Sequence, residues 1–515
     1  MKNRDIDAAW QYHDGTKHSY LSIRTNPHFM DWANRPLLFK IYPKIEPIPL
    51  PQDVSQTGVA ALSAISAPVD LLRGDAIPSL QDLARILIFS VGITRKRVYP
   101  DGEIYFRAAA CTGALYEIEL YVVTSDLPGL DAGVYHFNPG DVSLRLLRKE
   151  DFRGNLARAV AMEPAVAHAP ATIICTGTYW RNAWKYQART YRHFGWDNGM
   201  QLGNMLAVSA ASGLPAEIVL GFVDADVNQL LDLDARREVS LCLVPIGRTS
   251  ESSLPAAKEI PALGLETIPL SRGEVEYPAM LQMHEASSLE TAEEVREWRG
   301  RQPEHSPPAT SAEGVRLQPL QDKEQPKDSI EQVILRRGST RRFDKKASIT
   351  FAQLSTILDS ATRGLPADFL QPAGAQLNDL YLIAHSVEGL APGVYFFDRA
   401  RNSLELLKGG EFRAEAGYLG LQQELPADAC VDIFFLTDLK RILEQYGNRG
   451  YRAVQLEAGA IGGRMYLATY TQRLGASGLT FFDDDVIQFF SPHAEGKSAI
   501  FLLAIGRPLK RSPQQ

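Results

Sequence analysis

The sequence predicts an α+β protein made of two copies of one fold, each a mostly antiparallel sheet flanked by helices. Three observations lead there. The chain has 515 residues, more than one hydrophobic core serves, so two or more domains are expected. It also repeats itself: Gly129-Leu130-Asp131-Ala132-Gly133-Val134-Tyr135-His136-Phe137 returns as Gly389-Leu390-Ala391-Pro392-Gly393-Val394-Tyr395-Phe396-Phe397, a shift of 389 − 129 = 260 positions. The same shift pairs Tyr121 with Tyr381, Phe152-Arg153 with Phe412-Arg413, Tyr191-Arg192 with Tyr451-Arg452 and Gly199 with Gly459. Finally, each copy mixes hairpin-like strand pairs with helices, which points to a mostly antiparallel sheet.

The elements follow in the same order in both copies. Leu80, Leu83 and Leu87, then Leu354, Ile357 and Leu358, recur at helical spacing and predict a helix before the first strand of each sheet. Those strands are Ile118 to Val123 and Asp379 to Ile383, each followed by the Gly-Val-Tyr strand and by Leu144 to Leu147 or Leu404 to Leu407. Further strands are expected at Ala171 to Cys175 and Val431 to Leu436, then a long helix at about Trp196 to Ser212 and at Gln455 to Leu474. Each copy closes on an apolar strand ending in Ile246-Gly247-Arg248 or Ile505-Gly506-Arg507.

The copies are expected at 1–262 and 328–515. The segment 263–327 is rich in Pro, Glu, Gln and Ser, as in Arg301-Gln302-Pro303-Glu304-His305-Ser306-Pro307-Pro308, and reads as a linker that lets the halves pack side by side. Ser288 to Arg299 is expected to form one surface helix, with Ser288 placed to cap it and Glu290, Glu293 and Glu294 near its positive end.

Composition narrows the function classes. A net charge of −7 with no basic stripe argues against nucleic acid as partner. Cys111, Cys175, Cys242 and Cys430 are widely spaced and form no metal-ligand pattern, so structural thiols are expected and no metal. The polar start Met1-Lys2-Asn3-Arg4-Asp5 and the lack of an uncharged apolar run of about 18 residues predict a cytoplasmic protein outside the membrane. His136, His193 and His493 show no paired spacing, and Asp483-Asp484-Asp485 reads as a solvated acidic loop.

One cluster suits an anion. Arg336-Arg337-Gly338-Ser339-Thr340-Arg341-Arg342-Phe343 opens the second copy just before an amphipathic helix. Guanidinium forks beside hydroxyls match a phosphate dianion. The first copy begins with Lys17-His18-Ser19, again a cation, a histidine and a serine together.

Arg337-x-Ser339-x-Arg341-x-Phe343 resembles the phosphate-binding signature of nitroreductases, and Lys17-His18-Ser19 resembles a variant of it. Tyr105-Phe106-Arg107, Cys111-Thr112-Gly113-Ala114-Leu115-Tyr116, the Gly-Val-Tyr strand and Lys185-Tyr186-x-x-Arg189-x-Tyr191-Arg192 narrow the resemblance to SagB/ThcOx-type dehydrogenases, which include thiazoline and oxazoline peptide oxidases. The resemblance implies two tandem nitroreductase-like domains forming an intramolecular pseudo-dimer, with FMN in the seam. One site would use Arg337, Ser339 and Arg341 for phosphate, helped by Arg507 or Arg511, and the Cys111-Thr112-Gly113-Ala114 turn opposite. The other would use Lys17, His18, Ser19 and Arg248, completed by Pro372-Ala373-Gly374-Ala375. Near the flavin N5 the resemblance places a backbone amide at Leu220-Gly221, where the second copy has Phe482-Asp483 instead.

The resemblance also gives Lys185 and Tyr186 the catalytic role of the azoline dehydrogenases, where the second copy carries Gln445-Tyr446. A lysine serves as base near neutral pH only where burial or a neighbouring cation lowers its pKa; otherwise a Lys-Tyr pair is a solvated amine beside a half-buried ring. Three functions follow as expectations: a dehydrogenase acting on azoline rings of a ribosomal peptide, an NAD(P)H-dependent nitroaromatic or quinone reductase, and a flavin- or peptide-binding scaffold without turnover. NAD(P)H or oxygen would be the redox partner of the first two.

Overall fold

The computed structural model describes residues 2–25, 27–67, 75–99, 102–250, 254–301, 314–371 and 375–509. Two antiparallel sheets carry the repeat. The first has six strands in the order Pro47–Pro49, Ser143–Lys149, Gly133–Asn138, Ile118–Thr124, Ala171–Thr178, Glu238–Ile246. The second has seven, with Ser403–Gly409, Gly393–Asp398, Asp379–Ala384, Val431–Thr437 and Ser498–Gly506 in the equivalent order, flanked by Gly475–Leu479 and Val315–Arg316. Even the irregularities repeat, with register shifts between Val134 and Tyr135 and between Val394 and Tyr395. The α+β architecture and the two copies are therefore as the sequence predicts.

The copies meet along the helices Thr190–Ala211 and Arg449–Thr471. Both are buried nearly all round, so their apolar residues show no single stripe. Glycine sets their closeness: a Cβ on Gly199 would overlap the backbone of Gly459 and Ala460, and one on Gly459 would overlap Trp196. The pair matched by the 260-residue shift thus touches itself across the seam.

Both helices begin a turn earlier than apolar spacing predicts, because their first turns bury arginines instead. Arg189 and Arg192 reach Asp483 of the other copy at 3.2 and 2.7 Å, and Arg449 and Arg452 reach Asp224 at 2.7 Å each. Asp483 is therefore no solvated loop residue: it is 1% exposed and opens the helix Asp483–Phe490.

The segment read as linker carries more structure than its composition suggests. Helices form at Pro278–Ala286 and Ala292–Arg299. Thr291, not Ser288, caps the second, because the Ser288 hydroxyl donates back to the His284 carbonyl at 2.8 Å. Val295 and Trp298 are buried, so this is no mere surface helix. The helix Pro278–Ala286 mirrors Asp7–Gly15 at the chain start. Arg192 donates to the His13 carbonyl and the Thr16 hydroxyl as Arg452 does to the His284 carbonyl and the Ser287 hydroxyl.

All four cysteines are free thiols, and no described helix is long and apolar enough to cross a membrane.

Candidate functional site

A crevice in the seam gathers nine of the predicted residues, drawn from both copies. On the second-copy side, the helix Ile330–Arg336 starts at a capping box of Ser329 and Gln332 and stops where Arg337 turns extended. The buried Arg337 donates Nε to the Ala108 carbonyl and Nη2 to the Arg107 carbonyl, both at 2.8 Å, so it staples the loop to the first copy. Ser339 hydrogen-bonds Tyr466, whose hydroxyl also accepts the Gly478 amide at 2.6 Å. This draws the strand Gly475–Leu479 alongside the loop. Arg341 is exposed and makes no ion pair or hydrogen bond among the described residues.

The first-copy side is the turn Cys111-Thr112-Gly113-Ala114. Asp197, from the core helix, accepts the Thr112 amide at 2.9 and 3.0 Å and its hydroxyl at 3.0 Å. Gly113 has φ +64°, and a Cβ there would stand 2.8 Å from the Tyr186 hydroxyl. Ala114 and Tyr116 also have positive φ, 54° and 56°, a strain that a well-held turn can store beside a site.

Lys185 and Tyr186 end the helix Tyr179–Tyr186. The half-buried Lys185 amine lies 5.3 Å from the Tyr186 ring centre. Burial, then the Arg341 and Arg35 guanidiniums, lower its pKa. Burial, then Asp197, Cys111 and Glu117, raise that of Tyr186. His193 meets the Tyr186 ring edge-on at 4.7 Å.

Cys111 Sγ lies 3.3 Å from Glu117 and 3.5 Å from Asp197, and these three ligand atoms fall within 4.8 Å of one another. Burial first, then the neighbouring carboxylates, push the Cys111 thiol up, and burial with Glu117 does the same to Asp197. Both shifts keep these groups protonated in the metal-free protein. Cys111 is a packed thiol that helps shape the turn.

Among the described residues, the buried Thr480 Oγ1, just beyond the strand that runs beside Ser339, has no protein partner, and neither have Arg189 Nε and Nη2. The Thr480 amide makes no hydrogen bond among the described residues.

The remaining expected residues fall elsewhere. Leu220 and Gly221 lie in a second crevice related to the first by the repeat, and their amides donate to Asp368 at 2.8 and 2.9 Å. Lys17 is neutralised by Asp14 at 2.8 Å and Asp484 at 2.9 Å. The His18 amide donates to the Asp483 carboxylate at 2.8 Å and its carbonyl accepts the Asp483 amide at 3.1 Å; Arg189 and His193 lie near its ring, which places it on the Lys185–Tyr186 side rather than opposite. Ser19 is exposed and bonded within its own turn to Ser22.

Arg248 is exposed, its backbone paired with Ala76. Arg507 donates to the Ser348 carbonyl at 2.6 Å, and no hydrogen bond links it to Arg337 or Arg341. Arg511, Pro372, Ala373 and Gly374 lie outside the described residues. The sequence reading overlooked Asp197, Thr480 and Asp368. None sits in a motif, although Asp197 stands 260 positions before Glu457, which holds the Leu377 and Asn378 amides in the same way.

Comparison with known proteins fits this arrangement. A candidate nitroreductase of Methanocaldococcus jannaschii is 28% identical over 173 residues, 34% of this chain and 82% of that protein. The crystal structure of a candidate nitroreductase from Anabaena variabilis superposes with a TM-score of 0.75 at 26% identity, covering 98% of this chain and 99% of that one. The nitroreductase family pattern matches twice, at residues 75–248 and 334–507. The chain belongs to the nitroreductase family of oxidoreductases, in which FMN is the general cofactor, and carries two of its domains in tandem.

Proposed function

We propose that the first crevice seats one FMN and that the protein oxidises azoline rings of a ribosomal peptide, as SagB/ThcOx-type dehydrogenases do. The supporting observation is Arg341, a second-copy guanidinium in no ion pair among the described residues, placed near enough to Lys185 of the first copy to lower its pKa. A guanidinium left unpaired beside a strained, glycine-bearing turn suits a bound dianion. The groups present fit FMN: Arg341 and Ser339 for its phosphate, Gly113 for close approach of a flat ring, and the Thr480 amide and hydroxyl for polar ring atoms.

FMN, when bound, supplies a hydride acceptor at N5. The chain's own part is to hold the ring and move a proton. Lys185, its pKa lowered by burial and two guanidiniums, is suited to take the proton from Cα of a thiazoline or oxazoline as hydride leaves Cβ. Tyr186, its phenol held protonated, packs against Gly113 and fixes the lysine's place.

The purified protein is expected to be yellow and to release FMN, not FAD, on denaturation. Lys185→Ala is expected to keep the flavin and lose azoline oxidation; full activity in that variant would remove the base from the reading. Anaerobic NADPH is expected to bleach the flavin slowly. Rapid bleaching would favour a nitroaromatic or quinone reductase instead.

A further inference from the structure

The two crevices are related residue by residue. Tyr446 stands where Tyr186 does, Asp224 takes the arginines of one copy as Asp483 takes those of the other, and Leu289 bonds to Asp224 as His18 bonds to Asp483. Their contents differ.

We infer that the second crevice is not a cofactor site: the helix Ala292–Arg299 and Asp368 close it permanently and turn it into a joint between the copies. The inference takes the flavin seat in the first crevice as its reference, and four observations carry it. The amides of Leu220 and Gly221 are both taken by the Asp368 carboxylate at 2.8 and 2.9 Å; because Asp224 matches Asp483 at the start of the following helix, their counterparts in the first crevice are Leu479 and Thr480, not Phe482 and Asp483 as the sequence suggests. Arg299 then locks Asp368 in place, with Nε on its carboxylate at 3.2 Å, Nη2 on the Gly221 carbonyl at 2.9 Å and Nη1 against Glu163 at 2.9 Å. Trp298, 2% exposed, donates its indole N–H to the Tyr446 carbonyl at 3.0 Å and packs its ring 5.6 Å from that of Tyr446. The wall itself is filled: the Tyr446 hydroxyl donates to the Phe369 carbonyl at 3.1 Å, and Phe369 and Leu370 are each 2% exposed.

A flat ring needs a bare wall and free amides. Here it would have to expel a tryptophan and separate a hydrogen-bonded ion pair whose carboxylate is 1% exposed. The residues of the second crevice do not fit FMN, and hydride chemistry is confined to one face of the pseudo-dimer.

The test uses the full chain saturated with FMN, freed of excess and denatured, with released flavin counted against protein. One equivalent is expected; two would overturn the joint and leave the flavin seat standing. Hydrogen exchange on the same samples gives a readout that needs no flavin. Residues 218–222 and 292–299 are expected to exchange slowly, and equally so with and without FMN. Fast exchange in 292–299, or protection of 218–222 appearing only with FMN, would overturn the inference. Protein that takes up no FMN yet keeps 292–299 slow would remove the flavin seat and retain the joint. Arg299→Ala should keep at least one equivalent of flavin, and loss of it would place the cofactor in the second crevice after all.

Discussion

In the first crevice Tyr186 stands over the glycine turn at Gly113, whereas in the second its counterpart Tyr446 donates to the Phe369 carbonyl at 3.1 Å and packs against the buried Trp298. Around that difference nearly everything else is shared: the glycine-lined helix crossing, the reciprocal arginine clasps and the paired tyrosines. Shared features are those the pseudo-dimer needs to exist, and unshared ones are those that leave room or take it away. A duplicated domain can therefore keep one working crevice and fill the other with side chains at no cost to the seam. Filling it adds buried apolar area and a paired charge.

The largest effects should come from the shared clasp. Against the upward push of burial, Arg449 and Arg452 hold Asp224 down to about 2, and Arg189 and Arg192 do the same for Asp483. Replacing either aspartate with alanine leaves two arginines buried without a counter-charge, a loss of about 3–5 kcal/mol. Denaturant unfolding should show similar losses for Asp224→Ala and Asp483→Ala. A small effect of one alone would mean that the two halves of the clasp are not equivalent.

Next in size is the cationic seat. Arg341→Ala should weaken FMN binding roughly ten- to a hundredfold, the value of a charge-assisted hydrogen bond or two at about 1.5–3 kcal/mol. Arg248→Ala should leave it unchanged, because Arg248, unlike Arg341, is not among the cations that bear on Lys185. Fluorescence titration of the apoprotein separates the two, and equal losses would restore Arg248 to the seat.

The turn glycine offers a smaller contrast. Gly113→Ala forces a methyl against the Tyr186 hydroxyl at positive φ and should cost about 1–3 kcal/mol. Gly221→Ala meets the ends of Asp368 and Arg299 and the edge of Trp298 at 3.0 to 3.3 Å but carries no positive φ, and should cost less. Thermal unfolding of both variants checks the order.

The last two effects are of opposite sign with pH. Burial, then Arg189, lowers His18 to about 3, so the folded chain refuses a proton that the unfolded chain accepts below 6.5. Stability should fall as pH drops from 6.5 towards 3. Burial, then Asp368 and Glu163, raises Glu217 beside the second crevice from 4.5 to about 7. Its contribution is complete below 4.5 and lost as pH rises through 7. His18→Leu, which copies Leu289, should flatten the acid limb only, and Glu217→Gln the neutral limb only. A pH–stability curve unchanged by either substitution would remove these groups as its cause.

Much of this was legible in the chain. The 260-residue shift announced two copies, and Gly199 with Gly459 marked the very crossing where they meet. Arg337, Ser339 and Arg341 were readable as a loop beside the Cys111 turn, because their residue types suit an anion wherever they sit. The pairing of Lys17, His18 and Ser19 with an anion was not supported, since Asp484 and Asp483 arrive from 465 or more positions away to engage them. The segment 263–327 looked like linker because its composition is polar; its buried Trp298 was one residue among many charges.

The sequence by itself determined the number of copies, the order of their helices and strands along the chain and the residue types of the Arg337–Arg341 loop, because repeats, period and residue type are local properties. Only the tertiary structure decided which crevice stays open. That outcome depends on Arg299, Asp368 and Gly221 meeting from three distant stretches of chain, and a linear pattern carries no record of which carboxylate reaches which amide.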